Sequence, residues 1–412
     1  MIESIQPNSA NLTPTTLDSP HLRSEQLQER CIERVRQRGK VSFVDFMSWC
    51  LYEPSLGYYE SPQNPIGRRG DFVTSPQVSA DFADLLGEQF AEMWQVLGQP
   101  NAFTLVEMGS GAGFLAHDLL TYLRQTHPSF WGSLTYISVE RSAQMRQRQQ
   151  QLMPPDLTDG VVKWVSGLEE ISGSITGCMF SNELIDAMPV HRVQINQGSL
   201  QEIYVALNPD QEAAKSPFVE QFGDLSTPAL AEYFQTLGIP FPTDNHPDGY
   251  RTEVNLAALD WLQAVAQLLE RGYLLTIDYG HPAHRYYHPN RSTGTLLCYR
   301  QHFSLDSPYE QMGSQDITAH ADFTALQTFG QVQQLETLGL TQQSFFLANL
   351  GLLDRLANLP ELQGHQEPSQ ILQRRQSLHT LMDPLGLGQF GVLIQAKGLS
   401  QAEQGIHLRG LR

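Results

Sequence analysis

The chain has 412 residues, 41% hydrophobic and 17% charged, an ordinary globular composition with room for one large α/β domain or two domains sharing a cleft. Its 44 acidic residues outnumber 26 basic ones, giving a formal charge of −18, and such a surface repels a phosphate backbone, so no nucleic-acid partner is expected. No apolar run reaches the roughly 20 residues that cross a bilayer, and neither a signal-type segment nor an Arg-rich presequence stands at the N-terminus. Cys31, Cys50, Cys178 and Cys298 show no CxxC pairing. The expectation is a cytoplasmic protein in a reducing compartment, with no membrane insertion and no structural zinc.

In chain order, residues 1 to about 20 are polar, proline-punctuated and aperiodic, which predicts a disordered tail. From Ser24, the residues Leu27, Cys31 and Val35 recur at helical spacing, and Gly39 stands where a helix ends. Arg34, Arg36, Arg38 and Lys40 lie among Glu and Gln and read as a solvated face. Ser42 with Asp45 has the form of a capping box, followed by the apolar stripe Phe43, Phe46, Met47, Cys50 and Leu51. After a Gly- and Pro-rich stretch, Phe82, Leu85, Leu86, Met93, Trp94 and Leu97 mark a third helix. Residues 21–100 therefore read as a helical cap region, ahead of a domain over 101–412.

From Phe103 the pattern changes to short apolar strands alternating with helices: FTLVEM, YISVE, VVKWV, GCMFSNE and YLLTIDYG. That alternation predicts a Rossmann-like α/β fold, a parallel sheet covered on both faces. Polar, proline-containing sequence at about 194–250 interrupts the rhythm and reads as an insertion. FGVLIQAKG near the end has the character of a last strand.

Strand FTLVEM runs into Gly109, Ser110, Gly111, Ala112 and Gly113 and then the helix FLAHDLLTYL, the strand, glycine loop, helix arrangement that receives nucleotide ligands. A dinucleotide fingerprint needs a small residue at 114, where Phe114 stands. Glu107, ending the strand, repels a pyrophosphate and attracts an ammonium group. Together these favour S-adenosyl-L-methionine: its ammonium near Glu107, its carboxylate on the loop amides, its ribose hydroxyls on Glu140. Arg141, Gly167 and Leu168, at the ends of the next two strands, join the candidate cofactor set. The same glycines and acids also suit a plain tight turn with acids at a helix N-terminus.

The fourth strand ends in Ser181, Asn182 and Glu183 with Asp186 close behind, and the fifth ends in Asp278, so two or three carboxylates are expected to meet at the sheet edge that bears the loop. Such a mouth suits a guanidinium, whose planar fork pairs with carboxylates. Asn182 and Glu183 are also candidate cofactor contacts. Glu183 or Asp186 would hold an arginine and accept its proton. Two roles stay open for Asp186, site acid or helix N-cap, and two for His320, cleft residue or cap of the helix after it. No metal site is expected: His281, His284 and His288 lie close together, but Pro282 and Pro289 break any helix that would align them.

The motifs resemble those of the MidA-like methyltransferases, the family of mitochondrial complex I assembly factors. The matching stretches span nearly the whole chain: Gly57 to Tyr59, Gly70 to Pro76, Glu107 to Gly113, Ser181 to Pro189, Ile277 to Gly280, Tyr299 to His302, Asp316 to Phe323, Met382 to Pro384 and Gly388 to Phe390. The resemblance implies a seven-stranded class I methyltransferase sheet with its final strand antiparallel, and Thr74, Ser75 and Pro76 beside the cofactor. It also implies a protein substrate, an arginine on a subunit of an NADH-dehydrogenase-type complex. The chain departs from the family at Ser110 and Ala112, and at Leu184 and Ile185, where aromatics are common. Two other readings compete: an assembly chaperone that keeps the fold and binds a partner subunit, and an NAD-dependent dehydrogenase, against which Phe114 and Glu107 speak. Oligomeric state is not legible.

Overall fold

The computed structural model describes residues 20–60, 74–210, 216–300, 303–359 and 367–412. Most of the tail, residues 70–73 of the Gly70 to Pro76 motif, and Gln301 and His302 lie outside the described residues. The cysteines are all free and buried.

Seven strands form the central sheet, in the order Glu336–Gln342, Gly391–Lys397, Leu269–Asp278, Ile175–Asn182, Phe103–Met108, Leu134–Val139, Val162–Val165. The five strands from Leu269–Asp278 to Val162–Val165 run parallel, and Gly391–Lys397 pairs antiparallel with both its neighbours. Alternation along each strand divides its side chains between two cores. Phe103, Leu105, Tyr136, Cys178, Phe180 and Leu275 face one, with the helices Ala80–Val96 and Phe114–Thr126. Val106, Met108, Ile137, Met179 and Leu274 face the other, against Leu256–Leu268 and Phe323–Val332. Both faces are thus buried, which is why these strands read as near-continuous apolar runs.

Two glycines sit side by side in the sheet, Gly272 opposite Gly177. Gly272 has φ +137°, and a Cβ there would lie 1.9 Å from the Gly177 carbonyl oxygen. Neither backbone can retreat between paired strands, so Gly272→Ala is expected to destabilise the fold by about 3 kcal/mol, read as a lower urea midpoint at unchanged m value.

Between Asn182 and Leu269 the chain builds antiparallel strands, His191–Asn196, Ser199–Leu207, Phe218–Gly223 and Arg251–Val254. The stretch read as a polar interruption therefore contributes strands to a second sheet. Its strands alternate burial, with Val193, Ile195, Ile203 and Val205 inward, and short polar-faced strands of this kind resemble loops in sequence.

The N-terminal helices Pro20–Arg38 and Phe43–Tyr52 are joined through the strand Lys40–Ser42, which pairs with Tyr204–Ala206 of that antiparallel sheet. The Ser42 hydroxyl accepts from the Asp45 amide at 3.3 Å and caps the second helix. Phe43, Phe46, Met47 and Leu51 bury against Val205, Phe218 and Ile317, each contributing about 1.5–3 kcal/mol of transfer free energy. This packing carries Tyr52 and Tyr59 to the carboxyl ends of the parallel strands.

Candidate active site

Two cavities open at those strand ends. The smaller, about 380 Å³, falls in the range of about 300–1,000 Å³ usual for small-ligand sites, and Gly109, Gly111, Glu140, Arg141, Gly167 and Leu168 line it. The loop's glycines have φ of +76° (Gly109), +52° (Gly111) and +85° (Gly113), a left-handed path costly for other residues. A Cβ on Gly113 would also lie 2.7 Å from Gln149 Cγ. Gln149 in turn braces the loop, its Nε2 donating to the Gly111 carbonyl at 2.7 Å and its Oε1 accepting from Ser138 at 2.6 Å. The helix that follows starts without a side-chain cap, leaving its first amides directed at the loop.

The Glu140 carboxylate accepts from the Gly111 amide at 2.8 Å and the Ser142 amide at 2.9 Å, one bond to each oxygen. Each oxygen keeps a second acceptor position, so paired hydroxyls can be received there. Burial raises its pKa and the two amides oppose the shift.

Glu107 does not have its expected place. It does not line the smaller cavity; its carboxyl is buried and accepts from the Tyr136 hydroxyl at 2.5 Å. Burial pushes its pKa up to about 8. Ser110 and Gly113 likewise support the loop rather than line the cavity, Ser110 through a 2.8 Å bond from Ser138.

Sequence reasoning missed several walls of this cavity: Tyr52, Tyr59, Met145, Met188 and Trp261. Tyr52 and Tyr59 stack at 5.4 Å, Arg141 lies over Tyr52 at 5.1 Å, and the Tyr52 hydroxyl donates to the Ala187 carbonyl at 2.8 Å. The buried Trp261 Nε1 has no hydrogen-bond partner among the described residues, a donor kept for something else. Tyr52 follows directly on the apolar stripe that ends at Leu51 and carried no signal of its own, and nothing in its neighbourhood distinguishes Trp261 from a core residue; only the Gly57 to Tyr59 motif held a signal.

The larger cavity, about 790 Å³, is lined by Tyr279, His281, Arg285, His320 and Phe390 among others. Glu183 lines both cavities. It stands in a left-handed conformation, φ +52°, and its Oε1 accepts from Asn182 Nδ2 at 3.0 Å and the Ser75 amide at 3.4 Å. Ser75 is itself held by Gln343, its hydroxyl donating to Gln343 Oε1 at 3.2 Å. Burial, with the charge of Asp186 second, pushes the Glu183 pKa up to about 8. Ser75 and Asn182 thus reach the site through Glu183, Thr74 and Pro76 flank Ser75 at the start of the helix Ser75–Val78, and none of the four lines the smaller cavity.

Of the two or three carboxylates expected to meet at this edge, Glu183, Asp186 and Asp278 act on one another by charge, but only Glu183 lines a cavity. Asp278 is fully buried and accepts the amides of Ile185 at 2.8 Å, Asp186 at 3.3 Å and Tyr279 at 2.9 Å. It ties the Glu183–Asp186 turn to the neighbouring strand and lines neither cavity. Asp186 also lines neither; burial pushes its pKa up to about 6, and it acts on Glu183 by charge. Strand-end position could not reveal this, because an acid there can turn inward to satisfy loop amides as readily as outward. His320 lines the larger cavity, edge-on to Tyr279 at 5.1 Å, while Asp322 caps the next helix by accepting from the Ala325 amide at 3.1 Å. Burial and the charges of His281 and Arg291 push the His320 pKa down to about 3, so its ring is neutral.

A family model described as S-adenosyl-L-methionine-dependent methyltransferase matches residues 85–341. The chain belongs to this methyltransferase family. A Burkholderia thailandensis protein described as a methyl transferase, crystallised with S-adenosyl-homocysteine, superimposes with a TM-score of 0.81 at 29% identity over 97% of this chain and 96% of its own. The mitochondrial protein arginine methyltransferase NDUFAF7 of Bos taurus is 29% identical over 87% of this chain and 80% of its own length. The mitochondrial NDUFAF7 homolog of Drosophila melanogaster is 27% identical over 86% and 81%.

S-adenosyl-L-methionine is the cofactor, and the dehydrogenase reading falls. The expectation of a cytoplasmic location is corrected as well, since these relatives are named mitochondrial. Free buried thiols do not report the compartment.

Proposed function

We propose that the chain moves a methyl group from S-adenosyl-L-methionine in the smaller cavity to an arginine of a protein substrate entering the larger one. The observation that supports this most is Glu183, the side chain common to both cavities. The relatives named as protein arginine methyltransferases support the acceptor. That the substrate is a subunit of an NADH-dehydrogenase-type complex rests on the resemblance to the MidA-like family.

In this reading Gly109, Gly111, Glu140, Arg141, Gly167 and Leu168 hold the cofactor, Glu140 through the ribose hydroxyls and the uncapped helix start through its carboxylate. When bound, the cofactor supplies an electrophilic methyl group on a sulfonium. A guanidinium nitrogen forms the new bond as the C–S electron pair passes to sulfur, and the nitrogen's proton goes to Glu183. Asn182 and the Ser75 amide fix the Glu183 carboxylate so that its free oxygen meets the guanidinium, and alignment of this kind accounts for about 7–11 kcal/mol of a barrier. Tyr279 and Phe390 provide aromatic faces for the flat cation.

Mass spectrometry of NADH-dehydrogenase-type subunits from cells with and without the protein tests the reading. One arginine is expected to lose its methylation when the protein is absent, and an unchanged pattern overturns the substrate.

A further inference from the structure

Beside the larger cavity lies a third, about 660 Å³, which shares His320 and Leu297 with it. Arg192, Arg251 and Arg291 line it, against the exposed Asp248 and Asp306 at its rim. Arg192 and Arg251 both pair with one carboxylate, Glu220, at 2.7 and 2.5 Å, which leaves one positive charge in excess. Arg192 is buried and its Nε has no hydrogen-bond partner among the described residues. Among the described residues Arg291 has only neutral acceptors, His281 Nε2 at 3.0 Å and the Arg285 carbonyl at 3.3 Å. Its charge helps hold His281 and His320 unprotonated, so the wall between the two cavities presents the positive charge of Arg291. Glu253, beneath the wall, accepts from the Thr295 amide at 2.7 Å through one oxygen, its other oxygen has no hydrogen-bond partner among the described residues, and burial raises its pKa while the charge of Arg192 opposes the shift.

We infer that this third cavity receives an acidic side chain of the same polypeptide whose arginine enters the larger cavity. The inference rests on the proposed function and adds a sequence requirement to it. The guanidinium of Arg291 offers charge-assisted donors to a carboxylate, while the exposed Asp248 and Asp306 are screened by solvent. The acid belongs within about four residues of the target, ~14 Å of extended chain.

The test uses the full chain, S-adenosyl-L-methionine and synthetic peptides with one central arginine and a single Glu or Gln moved through the flanking positions. At one position the Glu peptide is expected to exceed its Gln counterpart about tenfold in kcat/KM, through KM, and Arg291→Gln is expected to erase that ratio without changing S-adenosyl-homocysteine affinity. Arg291→Glu should reverse it toward a Lys peptide. Equal methylation of Glu and Gln peptides at every position overturns the inference and leaves the proposed function standing. If no peptide arginine is methylated, the proposed function fails. Calorimetric titration of the same peptides into the S-adenosyl-homocysteine complex still decides the anion site, equal affinities for Glu and Gln overturning it.

Discussion

Glu183→Gln is expected to lower kcat by about a hundred- to ten-thousand-fold, the usual worth of a positioned proton acceptor, with cofactor affinity within about twofold of the parent. The amide keeps the shape of the side chain and can still accept from Asn182 and Ser75, so what is lost is the base and the anionic partner of the guanidinium. The parent's pH profile follows from the same carboxyl. Its pKa stands at about 8 because of burial and the charge of Asp186, so kcat/KM should climb about tenfold per pH unit below 8 and level off above it.

Stability runs the other way. A carboxyl at about 8 in the fold and 4.5 when exposed favours folding fully below 4.5, and that contribution is lost as pH rises through 8; Glu107, also at about 8, adds to the loss. Glu183→Gln removes its share, so the variant should resist urea better than the parent above pH 8 while transferring almost no methyl groups. A variant with parental turnover would show that Glu183 is no more than wall.

Glu140→Ala is expected to weaken S-adenosyl-homocysteine binding about a hundredfold, ~2.7 kcal/mol, as measured by calorimetry. Two losses combine: an acceptor for the ribose hydroxyls and the brace on the Gly111 and Ser142 amides. Glu140→Gln, which keeps one oxygen, should fall between. Because ligand stabilises the folded state by mass action, the thermal shift produced by a fixed cofactor concentration should shrink in the same order. An unchanged dissociation constant in the alanine variant would remove Glu140 from the cofactor site.

The inner strands of the central sheet were legible because they are buried on both faces, and Phe103–Met108 with the glycines after it is unusual enough to place the loop, whereas the edge strand Glu336–Gln342, with no buried residue, was not read. Strand His191–Asn196 and its antiparallel neighbours were not, since one polar face and several prolines gave them the look of a loop. In the site, position in sequence located the strand ends but not the direction of each carboxyl. Glu183 lines two cavities, whereas Asp278 turns to the amides of Ile185, Asp186 and Tyr279, and Glu107 to the Tyr136 hydroxyl. That choice is made by which backbone donors need partners, a tertiary property. Tyr52 and Trp261 escaped for a related reason: an aromatic that walls a ligand cavity obeys the same periodicity as one that fills a core.

Tyr52 and Tyr59 reach the smaller cavity only because Lys40–Ser42 is stitched to Tyr204–Ala206, on a sheet that the chain makes some 160 residues later. The catalytic unit is therefore not a cassette that can be excised. A truncated protein starting at Ala80 would retain all seven strands and the glycine loop, yet would leave the nucleotide's berth open on the side those two tyrosines close.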